Sequence, residues 1–108
     1  MAHRTIPREI APTITRYVEE LKKDRLPIEQ VILFGSYAKG KARKGSDVDL
    51  CVISPQFTDS FEAIQYLNFR ESTRAPHPIE AIGMTREALA ERTTLAREIR
   101  DTGVPVCI

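Results

Sequence analysis

Four consecutive apolar residues, Val31, Ile32, Leu33 and Phe34, stand between Pro27 and the pair Gly35-Ser36. A short continuous run of this kind, stopped by glycine, predicts a strand buried on both faces. The next regular segment behaves differently. Over residues 47–54, Val48, Leu50 and Val52 alternate with Asp47, Asp49 and Cys51, so one face of the expected strand is apolar and the other begins with two carboxylates.

The rest of the chain supplies helices to pack on these strands. Ile10, Ile14, Tyr17, Val18 and Leu21 recur at helical spacing, and Pro12 is tolerated only near a helix start, which predicts a helix over 12–24. Asp59 followed by Glu62 marks a second helix start; Phe61, Ile64, Leu67 and Tyr66 form its expected apolar stripe, with an end near Ser72. Residues 79–84 predict a third strand. Thr85 is an expected N-cap for a helix carrying Leu89, and a further segment with Leu95 and Ile99 is closed by Gly103. Residues 104–108 predict a short edge strand, where Pro105 is tolerated. The order predicts an α/β (α+β) fold, a small mixed β-sheet with helices packed on one face. At 108 residues and 42% apolar content, one domain spanning residues 1–108 is expected.

Charge narrows the function classes. Although 29% of residues are charged, the net charge is only +1, so no global footprint for nucleic acid or an anionic membrane exists. The basic residues that cluster, Lys39, Lys41, Arg43 and Lys44, do so locally. Cys51 and Cys107 lack metal-site spacing and point to a reducing, cytoplasmic setting. His77, between Pro76 and Pro78, has no partner ligand nearby in sequence and receives no role. No stretch has the length of a signal peptide's apolar core or of a membrane span, so a soluble protein is expected.

The loop between the first two strands admits two phosphate-binding readings. Gly35, four residues, Gly40, Lys41 follows a P-loop until Ala42 replaces the required Ser or Thr, and the segment to Asp47 leaves no space for the helix a P-loop needs. The other reading joins Gly35-Ser36 to Asp47 and Asp49. Two carboxylates two apart on a strand project from one face, repel, and either raise a pKa or recruit a hard cation such as magnesium. Glycine admits a phosphate close to the backbone, and the serine hydroxyl with the following amides offers donors. Tyr37, next in line, is read as core packing.

The stretch GSYAKGKARKGSDVDLCV resembles the signature of the polymerase-beta-like nucleotidyltransferase superfamily, and the chain length is similar to its minimal nucleotidyltransferase branch. The resemblance implies that Gly35 and Ser36 bind triphosphate, that Lys39 and Lys41 help hold it, and that Asp47 and Asp49 bind two magnesium ions. It also implies a third carboxylate from a later strand, here Glu80, where family members often carry aspartate; Glu80 would bind metal or act as general base.

Larger members of the superfamily carry an acceptor-binding domain for which 108 residues leave no room, so another chain is expected to complete the acceptor site. Minimal nucleotidyltransferases resemble antitoxins paired with an all-helical HEPN toxin in a type VII-like module. The implied reaction is transfer of AMP from ATP to a toxin tyrosine. Two alternatives stand beside it: an antitoxin that masks the HEPN partner by binding alone, and a nucleotidyltransferase for a small hydroxylated molecule such as an aminoglycoside at a homo-oligomer interface.

Overall fold

The computed structural model describes residues 5–74 and 76–108. Its elements run α1 (Ala11–Lys23), β1 (Gln30–Phe34), β2 (Val48–Ile53), α2 (Ser60–Asn68), a 3-10 turn (Glu71–Thr73), β3 (Ile79–Met84), α3 (Arg86–Leu89), α4 (Thr94–Thr102) and β4 (Val104–Val106). Pro12 falls in the first turn of α1, where no intrahelical N–H bond is lost, and Lys22 and Lys23 complement the dipole in its last turn. The caps expected from sequence form: the Asp59 carboxylate accepts from the N–H groups of Phe61 and Glu62, and the Thr85 hydroxyl accepts from that of Ala88.

The sheet is mixed, with strand order β3-β2-β1-β4. β1 lies antiparallel to both β2 and β4, whereas β2 and β3 are parallel and joined by α2. Register fixes which side chains share a face. Asp49 sits opposite Phe34 on one side and opposite Glu80 on the other. The same face continues below with Ile32, Cys51 and Ile82.

The opposite face, carrying Val31, Leu33, Val48, Leu50, Val52 and Ala81, packs under α1 and α2 in the larger core. Tyr17 is buried there, and its hydroxyl donates to the Leu67 carbonyl at 2.7 Å. The expectation of helices on one face holds for these two. The structure adds a second, smaller layer: Ile99 of α4 is buried with Ile32, Cys51 and Ile53, with Leu89 of α3 packed against them. Helices therefore contact both faces, and the run Val31–Phe34 gets apolar neighbours on each side.

Helix α2 also departs from the sequence reading. Leu67 is buried as expected and is joined by Ala63 four residues before it, while Phe61, Ile64 and Tyr66 are 68%, 43% and 37% exposed. The helix ends at Asn68, not near Ser72, because the Asn68 side chain is drawn onto β3. Its amide nitrogen donates to the Ala81 carbonyl at 2.7 Å, and its oxygen accepts the Ala81 N–H at 2.9 Å. Among the described residues, no helix is long and apolar enough to cross a membrane.

Candidate active site

The end of β1 and the start of β2 are brought together by a glycine. Gly35 has φ of +77°, a region that costs a β-carbon-bearing residue dearly, so the chain can turn sharply as it leaves the strand. A β-carbon there would lie 2.1 Å from Oδ2 of Asp49, closer than two atoms can approach. The glycine of the Gly-Ser pair and the second aspartate of Asp-x-Asp thus touch, although the sequence separates them by a long loop.

That loop begins with one tight turn. The Lys39 N–H donates to the Gly35 carbonyl at 3.1 Å and the Lys41 N–H to the Ser36 carbonyl at 2.9 Å. It closes with a second: Ser46 N–H donates to the Arg43 carbonyl, and the Ser46 hydroxyl accepts the Arg43 N–H at 2.8 Å. No helix follows Lys41, and β2 starts at Val48, so the P-loop reading lacks its structural context.

The carboxylates gather on the side of the sheet that α1 and α2 leave free. Asp47 is exposed just before β2, Asp49 is half-buried, and Glu80 is exposed on the edge strand β3. Burial pushes the Asp49 carboxyl up to about 6, and the charges of Glu80, Asp47 and Glu98 push in the same direction. The structure therefore brings Gly35, Asp47, Asp49 and Glu80 to one place. Ser36 lies half-buried at the same turn. Lys39 reaches across to α4, where its ammonium meets the Glu98 carboxylate at 2.5 Å. Lys41, Arg43 and Lys44 are exposed.

Glu98 has no counterpart in the sequence reading. Nothing local marks it; only the return of α4 along β1, anchored by Ile99, brings it beside a loop 59 positions away. Cys51, below Asp49 on the same face, is buried with its thiol pushed up to about 12, which fits an inert core residue. A cavity of about 610 Å³ opens at the same end of the sheet, lined by Tyr37, Arg43, Lys44, Ser46, His77 and Pro78 among others. The acidic cluster lies beside this cavity, not in its lining. Tyr37 is buried as expected, and His77, given no role from sequence, faces this space.

A hard cation suits the donor set. Burial and the neighbouring charges of Glu80, Asp47 and Glu98 raise the Asp49 carboxyl to about 6, and a divalent ion would relieve that repulsion. Among the described residues no three acidic, histidine or cysteine side chains close into a ready-made cage. Magnesium does not need one, since it binds through one or two carboxylates with substrate phosphates and water completing its octahedron.

The mixed sheet thus joins Gly-Ser at the end of β1 to an Asp-x-Asp edge and to a carboxylate on the neighbouring strand. The chain belongs to the nucleotidyltransferase domain family, whose pattern matches residues 14–102. Two relatives from Methanocaldococcus jannaschii, each named as an inferred protein adenylyltransferase, are 36% identical over 59 residues and 32% identical over 62. The matches cover 50% and 55% of this chain and 59% and 71% of the relatives, so the chain spans little more than half the length of the first.

Solved structures share the fold. A protein from Sulfolobus solfataricus described as an inferred nucleotidyltransferase aligns with a TM-score of 0.63 at 19% identity, over 90% of this chain and 78% of that one. A toxin-antitoxin complex with AMP-PNP gives 0.60 at 22% identity, over 83% and 69% of the two chains. A mutant of the toxin-antitoxin pair MntA-HpeT gives 0.62 at 15%, over 84% and 69%. At these identities the likeness is one of fold.

Proposed function

We propose that residues 1–108 act as one minimal nucleotidyltransferase domain that transfers AMP from ATP to a tyrosine hydroxyl of a HEPN-type toxin, in the cytoplasm, as the antitoxin of a two-protein module. The observation that carries the reading is the register pairing of Asp49 with Glu80 directly beside Gly35. The names of the relatives support a protein acceptor, and the toxin-antitoxin neighbours support the choice of partner.

In this reading the backbone at Gly35 admits the outer phosphates, and the Ser36 hydroxyl donates to them. Lys39 and Lys41 neutralise their charge. Asp47, Asp49 and Glu80 would hold magnesium, two ions in the full complement, which would supply activation of the acceptor hydroxyl and charge neutralisation on the triphosphate when bound. Glu80, on the exposed edge strand, meets the incoming hydroxyl and takes its proton. The tyrosine oxygen bonds to the α-phosphorus as the bond from that phosphorus to the β-phosphate bridge breaks. Pyrophosphate departs and the partner keeps the AMP.

The test is intact-mass spectrometry of the partner that co-purifies with the tagged protein, before and after ATP and magnesium, beside a variant carrying Asp47→Ala and Asp49→Ala. Gain of whole AMP units only with the wild type supports the reading. A partner that binds and neutralises toxicity equally well with both proteins, and stays unmodified, refutes it in favour of masking.

A further inference from the structure

Helix α4 carries one acidic side chain into the site by way of a packing contact. Ile99 is 1% exposed in the second core, so the residue before it has little freedom of position. The Thr102 hydroxyl donates to the Glu98 carbonyl at 2.7 Å, tightening the same turn. From there the Glu98 carboxylate takes the Lys39 ammonium, and the two side chains keep 37% and 36% of their surface in water. Lys39 is not an arbitrary surface lysine. It belongs to the turn that starts at Gly35, and its own N–H is bonded to the Gly35 carbonyl.

We propose that Glu98 stands in for the triphosphate: its carboxylate occupies the Lys39 ammonium until nucleotide phosphates displace it. This deepens the proposed function and rests on its assignment of Gly35, Ser36 and Lys39 to the triphosphate. An ion pair this exposed is weak, so a polyanionic ligand can break it at small cost. Glu98 also adds a further negative charge beside Asp47, Asp49 and Glu80, so the metal-free site opposes the triphosphate. Nucleotide entry therefore trades one anion for another at Lys39.

The experiment is a double-mutant cycle on the binding of ATP and AMP-PNP by calorimetry, with Glu98→Gln, Lys39→Met and the pair, at low and high salt, with melting temperature followed in parallel. Glu98→Gln is expected to tighten triphosphate binding by about threefold to fivefold at low ionic strength, less at high salt. The gain should fall by at least half when Lys39 is already methionine. Tightening that is equal in both backgrounds, no change, or weakening at any melting temperature would each overturn the inference. Binding that ignores Glu98 but is lost in Ser36→Ala refutes only the stand-in role of Glu98. Absence of triphosphate binding in every protein, wild type included, overturns the function reading as well.

Discussion

Replacing Asp49 by asparagine should make the protein more stable and, at the same time, inactive. The Asp49 carboxyl titrates near 3.8 in an unfolded chain and is pushed up to about 6 in the fold. Below both values the group is neutral in both states and costs nothing. Between them the folded state holds a proton that the unfolded state has released, so stability falls as pH rises, and above about 6 the full cost of the folded charge is present. The gap corresponds to a ceiling of about 3 kcal/mol at the standard conversion. Asp49 is only half-buried and solvent screens it, which brings the expected effect down to about 1–1.5 kcal/mol. For a chain of this size that is a rise in Tm of roughly 5–10 °C at pH 8. Thermal melts of wild type and Asp49→Asn in EDTA, at pH 4 and pH 8, measure it. The difference should be near zero at pH 4 and largest at pH 8, and adding magnesium should stabilise the wild type more than the variant. A variant that melts lower at pH 8, or a difference that ignores pH, would refute the argument that this carboxylate is held against its own preference.

Other perturbations follow from single contacts. Gly35→Ala places a β-carbon against the Asp49 carboxylate in a left-handed backbone position, so it should cost at least 1–2 kcal/mol by urea titration, roughly the backbone penalty alone, and abolish AMP transfer. Transfer at the wild-type rate would show that Asp49 does not need its place. Tyr17→Phe removes the buried donor to the Leu67 carbonyl and should lower stability by about 1–2 kcal/mol with an unchanged denaturant slope. Glu80→Gln should leave nucleotide binding in calorimetry within about threefold while reducing transfer at least a hundredfold, the scale of a lost proton acceptor; a variant that transfers normally removes Glu80 from the chemistry.

Much of this was legible in the chain itself because the signals are local. The run Val31–Phe34, the alternation from Asp47 and the caps at Asp59 and Thr85 each depend on neighbours a few residues away, and each forms. What was hidden depends on tertiary choice. Phe61 and Ile64 share the expected stripe of α2 with Leu67, yet only Leu67 is buried, and packing against β3 adds the small Ala63 in their place. The second helical layer rests on few apolar side chains, chiefly Ile99 and Leu89, too sparse to announce a face. Glu98 is the plainest case: a glutamate in a charged helix carries no mark of its place until α4 is laid along β1. The pairing of Asp49 with Glu80 is intermediate, since both strands were visible and only their register was not.

Strand β3 is asked to do two things that ordinarily conflict. In the proposed function it must lie at the rim of the sheet so that Glu80 is open to an incoming molecule, and a rim strand offers unpaired N–H and C=O groups to any other extended chain. Asn68 reconciles them, because its side-chain amide has the same donor and acceptor as a peptide unit and occupies both outward groups of Ala81. The rim is interrupted at its middle by an imitation of the next strand, one residue wide. In the proposed function an acceptor can then reach the Glu80 carboxylate without the strand being recruited into a longer sheet, and removing that single amide should show first as self-association, before any change in chemistry.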